Sequence, residues 1–199
     1  MFKPDNATVN NVTSKSLADL IRTRRTINTF RPDPIPAGTI EALLEIAVYV
    51  PNHRLTEPWR FVYITGNSVL TYATIRRQMA LPGFAKLEND IREKASEGVY
   101  RKFADIPAYL LVIMTVNHNS EIAEEDYASC ACLIQNFLLL AWAQGIGSCW
   151  KTFKNDARLQ SFVRLDTNEK VVGIIHLGYP DETPISNRKS ATERLTHLP

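Results

Sequence analysis

The sequence predicts an α+β protein, in which a central mixed or antiparallel sheet is flanked by helices around one long buried core helix. Three observations carry that expectation. From Asp126 to Gln144 the chain reads DYASCACLIQNFLLLAWAQ, with no wide polar face. A helix apolar nearly all round is either buried or spans a membrane. Ser129, Gln135 and Asn136 interrupt it, leaving its unbroken apolar run far below the roughly 20 residues of a span. Short apolar runs at Arg60–Ile64, Ala108–Val116 and Lys170–Gly178 have strand length and strand composition. Finally, 199 residues that are 45% hydrophobic and show no internal repeat suffice for one core.

Bulk properties narrow the function classes. The formal net charge is only +2, and Lys and Arg are scattered rather than striped, so no nucleic-acid surface is expected. Three cysteines are too few, and odd in number, for a disulfide framework, which points to a reducing compartment and a cytoplasmic setting. The opening MFKPDNATVNNVTSKS lacks the apolar core of a signal peptide, and no membrane association is expected. Asn6-Ala7-Thr8 and Asn11-Val12-Thr13 match a glycosylation pattern but read as polar tail in that setting.

In chain order, residues 1–14 are expected to form a flexible arm and 15–199 a single domain. Ser16 can cap a helix carrying Leu17, Leu20 and Ile21 and ending in Arg22-Thr23-Arg24-Arg25-Thr26. That basic cluster either complements the helix dipole or forms an anion site. Pro32, Pro34 and Pro36 force an extended segment. A second helix runs from about Ala37 to Val48, and Pro51 ends it. The loop Pro51-Asn52-His53-Arg54-Leu55-Thr56-Glu57-Pro58-Trp59 leads into the first strand. Asn67 or Ser68 opens a helix through Met79. Residues 84–105 read as a solvated helix with i,i+4 pairs Lys86–Asp90, Glu88–Arg92 and Asp90–Lys94. Glu124-Glu125-Asp126 should start the core helix, where the dipole favours acids. Gly145 and Gly147 stop it, and a short strand carrying Lys151 and Thr152 follows. Asn155 or Asp156 caps a short helix through Val163. The polar tail, about 181–199, forms a C-terminal extension.

Three motifs occur in a telling order: Arg24-Arg25-Thr26 after the first helix, Pro-Asn-His…Glu-Pro-Trp before the first core strand, and Gly-Ile-Gly-Ser-Cys-Trp-Lys-Thr after the long helix. Together, across roughly residues 16–180, they resemble the FMN-dependent nitroreductase family, and in particular its short, single-domain, YdjA-like branch. The resemblance implies a homodimer with two FMN sites at the subunit interface, NAD(P)H as co-substrate, and a small-molecule electron acceptor such as a nitroaromatic or quinone. It also implies which residues bind the cofactor: Arg24, Arg25 and Thr26; Trp150, Lys151 and Thr152; and His53, reaching the flavin of the other subunit. In the family the 84–105 region forms a variable lid, and a C-terminal extension wraps the partner. Arg188 and Lys189 match a basic pair that touches the phosphate from the tail in larger members.

These residue types suit the chemistry. A phosphate dianion is best held by guanidinium forks or ammonium groups with hydroxyls beside them. A cation near flavin N1 and the C2 carbonyl favours the reduced ring. The chain departs from the usual family pattern in having Asn28 where many members carry Lys, Leu55 where many carry Asn, and Glu57 where Gln is usual. No catalytic nucleophile is required, because the flavin carries the chemistry. Two other readings stay open: a flavin carrier or sensor without turnover, and a same-fold flavoenzyme performing dehydrogenation, dehalogenation or flavin breakdown. A dinucleotide fingerprint is absent, since Gly145-Ile146-Gly147 lacks the third glycine and follows a helix. No metal is expected: Cys130 and Cys132 diverge by about 200° on a helix, so their sulfurs cannot share one ion.

Overall fold

Among the described residues, four strands form one sheet in the order β1-β2-β4-β3, with every pairing antiparallel. A computed structural model describes residues 16–198; the arm expected over residues 1–14 lies outside them. The strands are β1 (Trp59–Thr65), β2 (Ala108–Thr115), β3 (Gly147–Lys151) and β4 (Glu169–Gly178). Helices α1 (Leu17–Thr23), α2 (Thr39–Ala47) and α5 (Ser120–Ala143) occupy one side, and α3 (Asn67–Ala80), α4 (Asn89–Ala104) and α6 (Ala157–Val163) the other.

The centre of the sheet explains why β2 reads as a continuous apolar run. Ala108, Leu110, Val112 and Met114 pack with α2 and α5, while Tyr109, Leu111 and Ile113 pack with α3, α4 and α6. A strand covered on both faces has no polar alternation to show. Between β2 and β4 the register shifts: Val112 pairs with Gly173 but Ile113 with Val171. Val172 is therefore the extra residue of a β-bulge.

Two sequence expectations are corrected here. The core helix α5 begins at Ser120, not at Asp126. Asn119 caps it by accepting from the N–H groups of Glu121 (2.9 Å) and Ile122 (3.3 Å). Glu124, Glu125 and Asp126 therefore sit beyond the first turn, and Glu121 is the acid at the dipole. The added turns are too polar to register in an apolar pattern. Within the single chain, Leu133, Ile134 and Phe137 of α5 are fully buried, Tyr127, Cys132 and Gln135 are exposed, and Leu139 and Leu140 are half-buried. The second correction concerns α4. It is solvated, with Phe103 its buried residue, yet the expected i,i+4 pairs are not the ones formed. Glu97 instead pairs with Arg101 (3.1 Å) and with Arg77 of α3 (3.8 Å). Exposed pairs are worth so little that rotamer entropy and neighbours decide among them.

The tail has one short 3₁₀ turn, Thr192–Arg194, and is largely exposed. Its start is tied down, because Phe30 bridges Pro180 and the Asp181 N–H donates to Thr29 O (3.2 Å).

Candidate functional site

The first motif follows α1 directly. Ser16 caps this helix, accepting from the Asp19 N–H (3.2 Å), and the helix stops at Thr23. Trp142 of α5 donates its indole N–H to Thr23 Oγ1 (3.1 Å), which fixes the end of α1. Arg24 is already extended, with φ −56° and ψ 134°. Only Arg22 is thus placed in the last turn to complement the dipole; Arg24 and Arg25 lie past it.

The chain then runs alongside β3. Thr26 makes a single parallel bridge with Ser148, and the Ile27 N–H donates to Ser148 O (3.0 Å). Ile27 is fully buried, and a Cβ on Gly147 would come within 2.8 Å of its Cγ1. Glycine at 147 is what lets the turn approach. The bridge brings together two motifs that lie more than a hundred residues apart in sequence.

Cations converge on this junction. Burial holds the Arg24 guanidinium below its ordinary pKa, helped by the charges of Arg188 and Arg25. None of the ion pairs among the described residues involves these three arginines. Arg25 spends its donors on carbonyls: Nε to Pro184 O (3.1 Å), and Nη1 to Arg22 O (2.7 Å) and Arg24 O (2.9 Å). It clamps the tail to the turn, and the clamped tail carries Arg188.

Strand alternation separates the residues of the third motif. Trp150 lies across Gly173, where an added Cβ would fall 1.9 Å from the indole Nε1. Lys151 points to the opposite face, into a cavity of about 490 Å³ that Thr152 also lines. Lys151 Nζ stands 3.5 Å from Asn28 Oδ1. Arg76, Lys102 and Lys154 complete a set of four cations on the cavity wall, and among the described residues no carboxylate lines it. Arg76 stacks over the Phe103 ring at 4.2 Å and donates to Tyr72 Oη (3.1 Å).

His176 forms the cavity's inner wall, edge-on to Tyr109 at 5.0 Å between ring centroids. Burial pushes its pKa down to about 4, with the charges of Lys151, Arg76 and Lys102 acting in the same direction. The fold therefore favours the neutral ring. The stability linked to that ring is complete above the unfolded pKa of 6.5 and is lost as pH falls from 6.5 towards 4. The expected loss is of the order of 3 kcal/mol. Urea unfolding at pH 7.5 and pH 4.5 checks it: the wild type should weaken more than His176→Gln. Equal losses in the two would show that His176 is not the group responsible.

His53 is elsewhere. Its Nδ1 lies 2.8 Å from Glu125 Oε2, in the N-terminal half of α5. Glu125 and Trp142 are 17 residues apart on that helix, roughly 25 Å. Arg24, Arg25 and Thr26 thus lie at the junction, Lys151 and Thr152 line the cavity that Asn28 also borders, Trp150 takes the other face of the strand, and His53 lies towards the far end of α5. Reading the sequence missed Arg76, Lys102, Lys154 and His176 as wall residues. The one available signal was a lone histidine in the otherwise apolar VVGIIHLG. The other three sit on charged surface segments, where nothing in one sequence marks which way a side chain turns.

Residues 21–179 match the Nitroreductase family. The chain belongs to the nitroreductase family. The "Putative NAD(P)H nitroreductase YfhC" of Bacillus subtilis is 36% identical over 190 residues, covering 92% of this chain and 94% of that protein. Among solved structures, a nitroreductase-like family protein from Bacillus cereus superposes with a TM-score of 0.79 at 28% identity, covering 94% of this chain and 97% of that one. The FMN-dependent nitroreductase NfnB of Mycobacterium smegmatis, solved with NADPH, shares the fold, with a TM-score of 0.65 at 20% identity, covering 90% and 96%. The nitroreductase fold expected from the motifs is therefore the fold observed. Among the described residues, no helix is long and apolar enough to cross a membrane.

Proposed function

We propose that this nitroreductase-family chain is an FMN-dependent NAD(P)H oxidoreductase, working by ping-pong hydride transfer to a nitroaromatic, quinone or related small acceptor. The observation that carries the reading is the junction at Thr26 and Ser148. Arg24, with Arg188 beside it and neither in an ion pair among the described residues, lies there a few residues before Asn28, which borders the cation-lined cavity. The donor set fits FMN. A phosphate dianion suits Arg24, Arg188 and the Thr26 hydroxyl, and an elongated polar ring system suits the cavity beyond Asn28. FMN supplies the hydride chemistry, accepting from NAD(P)H and passing on to the acceptor.

The chain's own residues bind and orient. Arg24 and Thr26 hold the phosphate, and Arg25 keeps the tail, and with it Arg188, in place. Lys151 and Thr152 border the ring, and Trp150 packs β3 against β4. Many family members place a lysine at position 28. Here Asn28 instead stands 3.5 Å from Lys151 Nζ, so β3 returns a cation to the same region. Arg76 adds a second. Positive charge there favours the reduced cofactor.

The protein works as a homodimer with two FMN sites at the subunit interface. His53 is too far along α5 to meet Arg24 of its own chain, so it serves the partner's site. An apolar groove formed by Leu17, Leu20, Ile46, Leu139, Leu140 and Ala143 supports this reading. Leu17 is 66% exposed and Ile46 55%, and exposed apolar patches of this kind mark interfaces. Leu139→Glu is expected to weaken dimerisation at least about tenfold and to weaken FMN binding in parallel. Sedimentation velocity and an FMN titration measure the two effects; a dimeric variant would remove this groove from the interface. Residues 15–199 act as one domain, with the tail from about 181 reaching towards the partner. The three free cysteines fit a cytoplasmic setting.

An anaerobic visible spectrum of the FMN-reconstituted protein tests the activity. Bleaching by NADPH or NADH, followed by recovery on adding a nitroaromatic or quinone, is the expected result. Bound flavin that neither nucleotide bleaches would indicate a carrier instead.

A further inference from the structure

The loop that carries His53 is held in an expensive conformation. Arg54, Leu55 and Glu57 all have positive φ, at 64°, 49° and 42°. Each such residue costs roughly 1–2 kcal/mol, so contacts outside the loop must hold it. They come from one short stretch of α5. Ser129 Oγ donates to Pro51 O (2.9 Å), and Asn52 Nδ2 donates to Ser129 Oγ (3.3 Å). Thr56 donates to the carboxylate of Asp126, which is 3% exposed. Inside the loop, Asn52 Oδ1 accepts from the Glu57 N–H (2.8 Å). The fourth fastening, His53 Nδ1 to Glu125 Oε2 at 2.8 Å, differs in kind. Besides fastening the loop, it acts on the imidazole itself, because a carboxylate on one ring nitrogen sets the orientation of the ring.

We infer that Glu125 is a positioning residue for His53. A carboxylate 2.8 Å from Nδ1 is an acceptor only, so Nδ1 must carry the proton. The neutral ring then has its lone pair on Nε2, and the ring plane is fixed. With the His53 side chain 59% exposed, Nε2 is the atom free to face outwards. A carboxylate that orients a histidine through one nitrogen makes the other available for recognition. Resting on the shared-site reading above, Nε2 is the atom this chain presents to the flavin of the partner subunit, as an acceptor for an O–H or N–H of that cofactor. The outward atom is thereby specified by Glu125, which has no need to touch the flavin.

Two measurements on the full-length dimer test this. The first is a long-range ¹⁵N–¹H spectrum of the FMN-free protein, which assigns the His53 tautomer. A proton on Nδ1 is expected in the wild type, and its loss in Glu125→Ala. A His53 ring that carries its proton on Nε2 in the wild type would overturn the proposal. The second is a double-mutant cycle on FMN affinity. Glu125→Ala and His53→Ala should each raise the FMN Kd about 3- to 10-fold, and the double variant no further than His53→Ala alone. Glu125→Gln keeps an acceptor oxygen and should restore most of the affinity. Additive effects, or failure of Gln to rescue, would mean that Glu125 acts by some route other than His53. If His53→Ala binds FMN normally while the Nδ1 proton is in place, the shared site itself is wrong, and Glu125's role falls with it.

Discussion

Arg24→Ala is expected to raise the FMN dissociation constant by about 10- to 150-fold, which corresponds to the roughly 1.5–3 kcal/mol of a charge-assisted hydrogen bond. Burial and the neighbouring charges of Arg188 and Arg25 hold Arg24's pKa below its ordinary value, so in the free protein this guanidinium sits among like charges. An incoming dianion relieves that repulsion as well as pairing with the group. Quenching of FMN fluorescence on titration measures the effect. Raising the ionic strength should narrow the gap between wild type and variant. Arg25→Ala should behave differently: its donors hold Pro184, Arg22 and Arg24 carbonyls, so its loss should release the already exposed tail and speed its cleavage by protease. Full FMN occupancy in Arg24→Ala would remove the phosphate from this junction.

Gly173→Val is expected to destabilise the fold by about 3 kcal/mol, at the upper end of the cost of overpacking a core. Gly173 shows no positive φ, so its role is space. A Cβ there would lie 1.9 Å from Trp150 Nε1 and 2.5 Å from Cδ1, and the indole would have to leave the sheet. Trp150 and Lys151 are neighbours on β3, so moving one displaces the edge that supports the other. Urea unfolding gives the stability, and FMN titration tells whether the site is lost with it. Adding Trp150→Ala should make Gly173→Val far less harmful, because neighbouring substitutions that share one space are not additive. Additive costs would show that the glycine serves something other than the indole.

The outline of the fold was legible because local signals agree with it. Ser16 caps the helix it was expected to open, and Asp156, one of the two residues expected there with Asn155, caps α6. The runs at Arg60–Ile64, Ala108–Val116 and Lys170–Gly178 are β1, β2 and β4 to within a residue at each end. Apolar periodicity reports burial, and caps and prolines report boundaries; both are properties of a few consecutive residues. Where the apolar pattern fades the reading fails, as in the polar first turns of α5.

The candidate site was legible only as an ordered set of motifs, and those motifs carried the family. How their side chains group in space was not. Consecutive strand residues face opposite ways, so Trp150 and Lys151 part company once β3 pairs with β4. The Thr26–Ser148 bridge, the clamp from Arg25 to Pro184, and the His53–Glu125 contact each join residues at least 70 positions apart. The sequence by itself determined which segments are helix, strand and turn, because those follow from short-range periodicity and capping. Only the tertiary structure decided which cations share a cavity and which histidine meets which carboxylate, because such contacts depend on where distant elements pack.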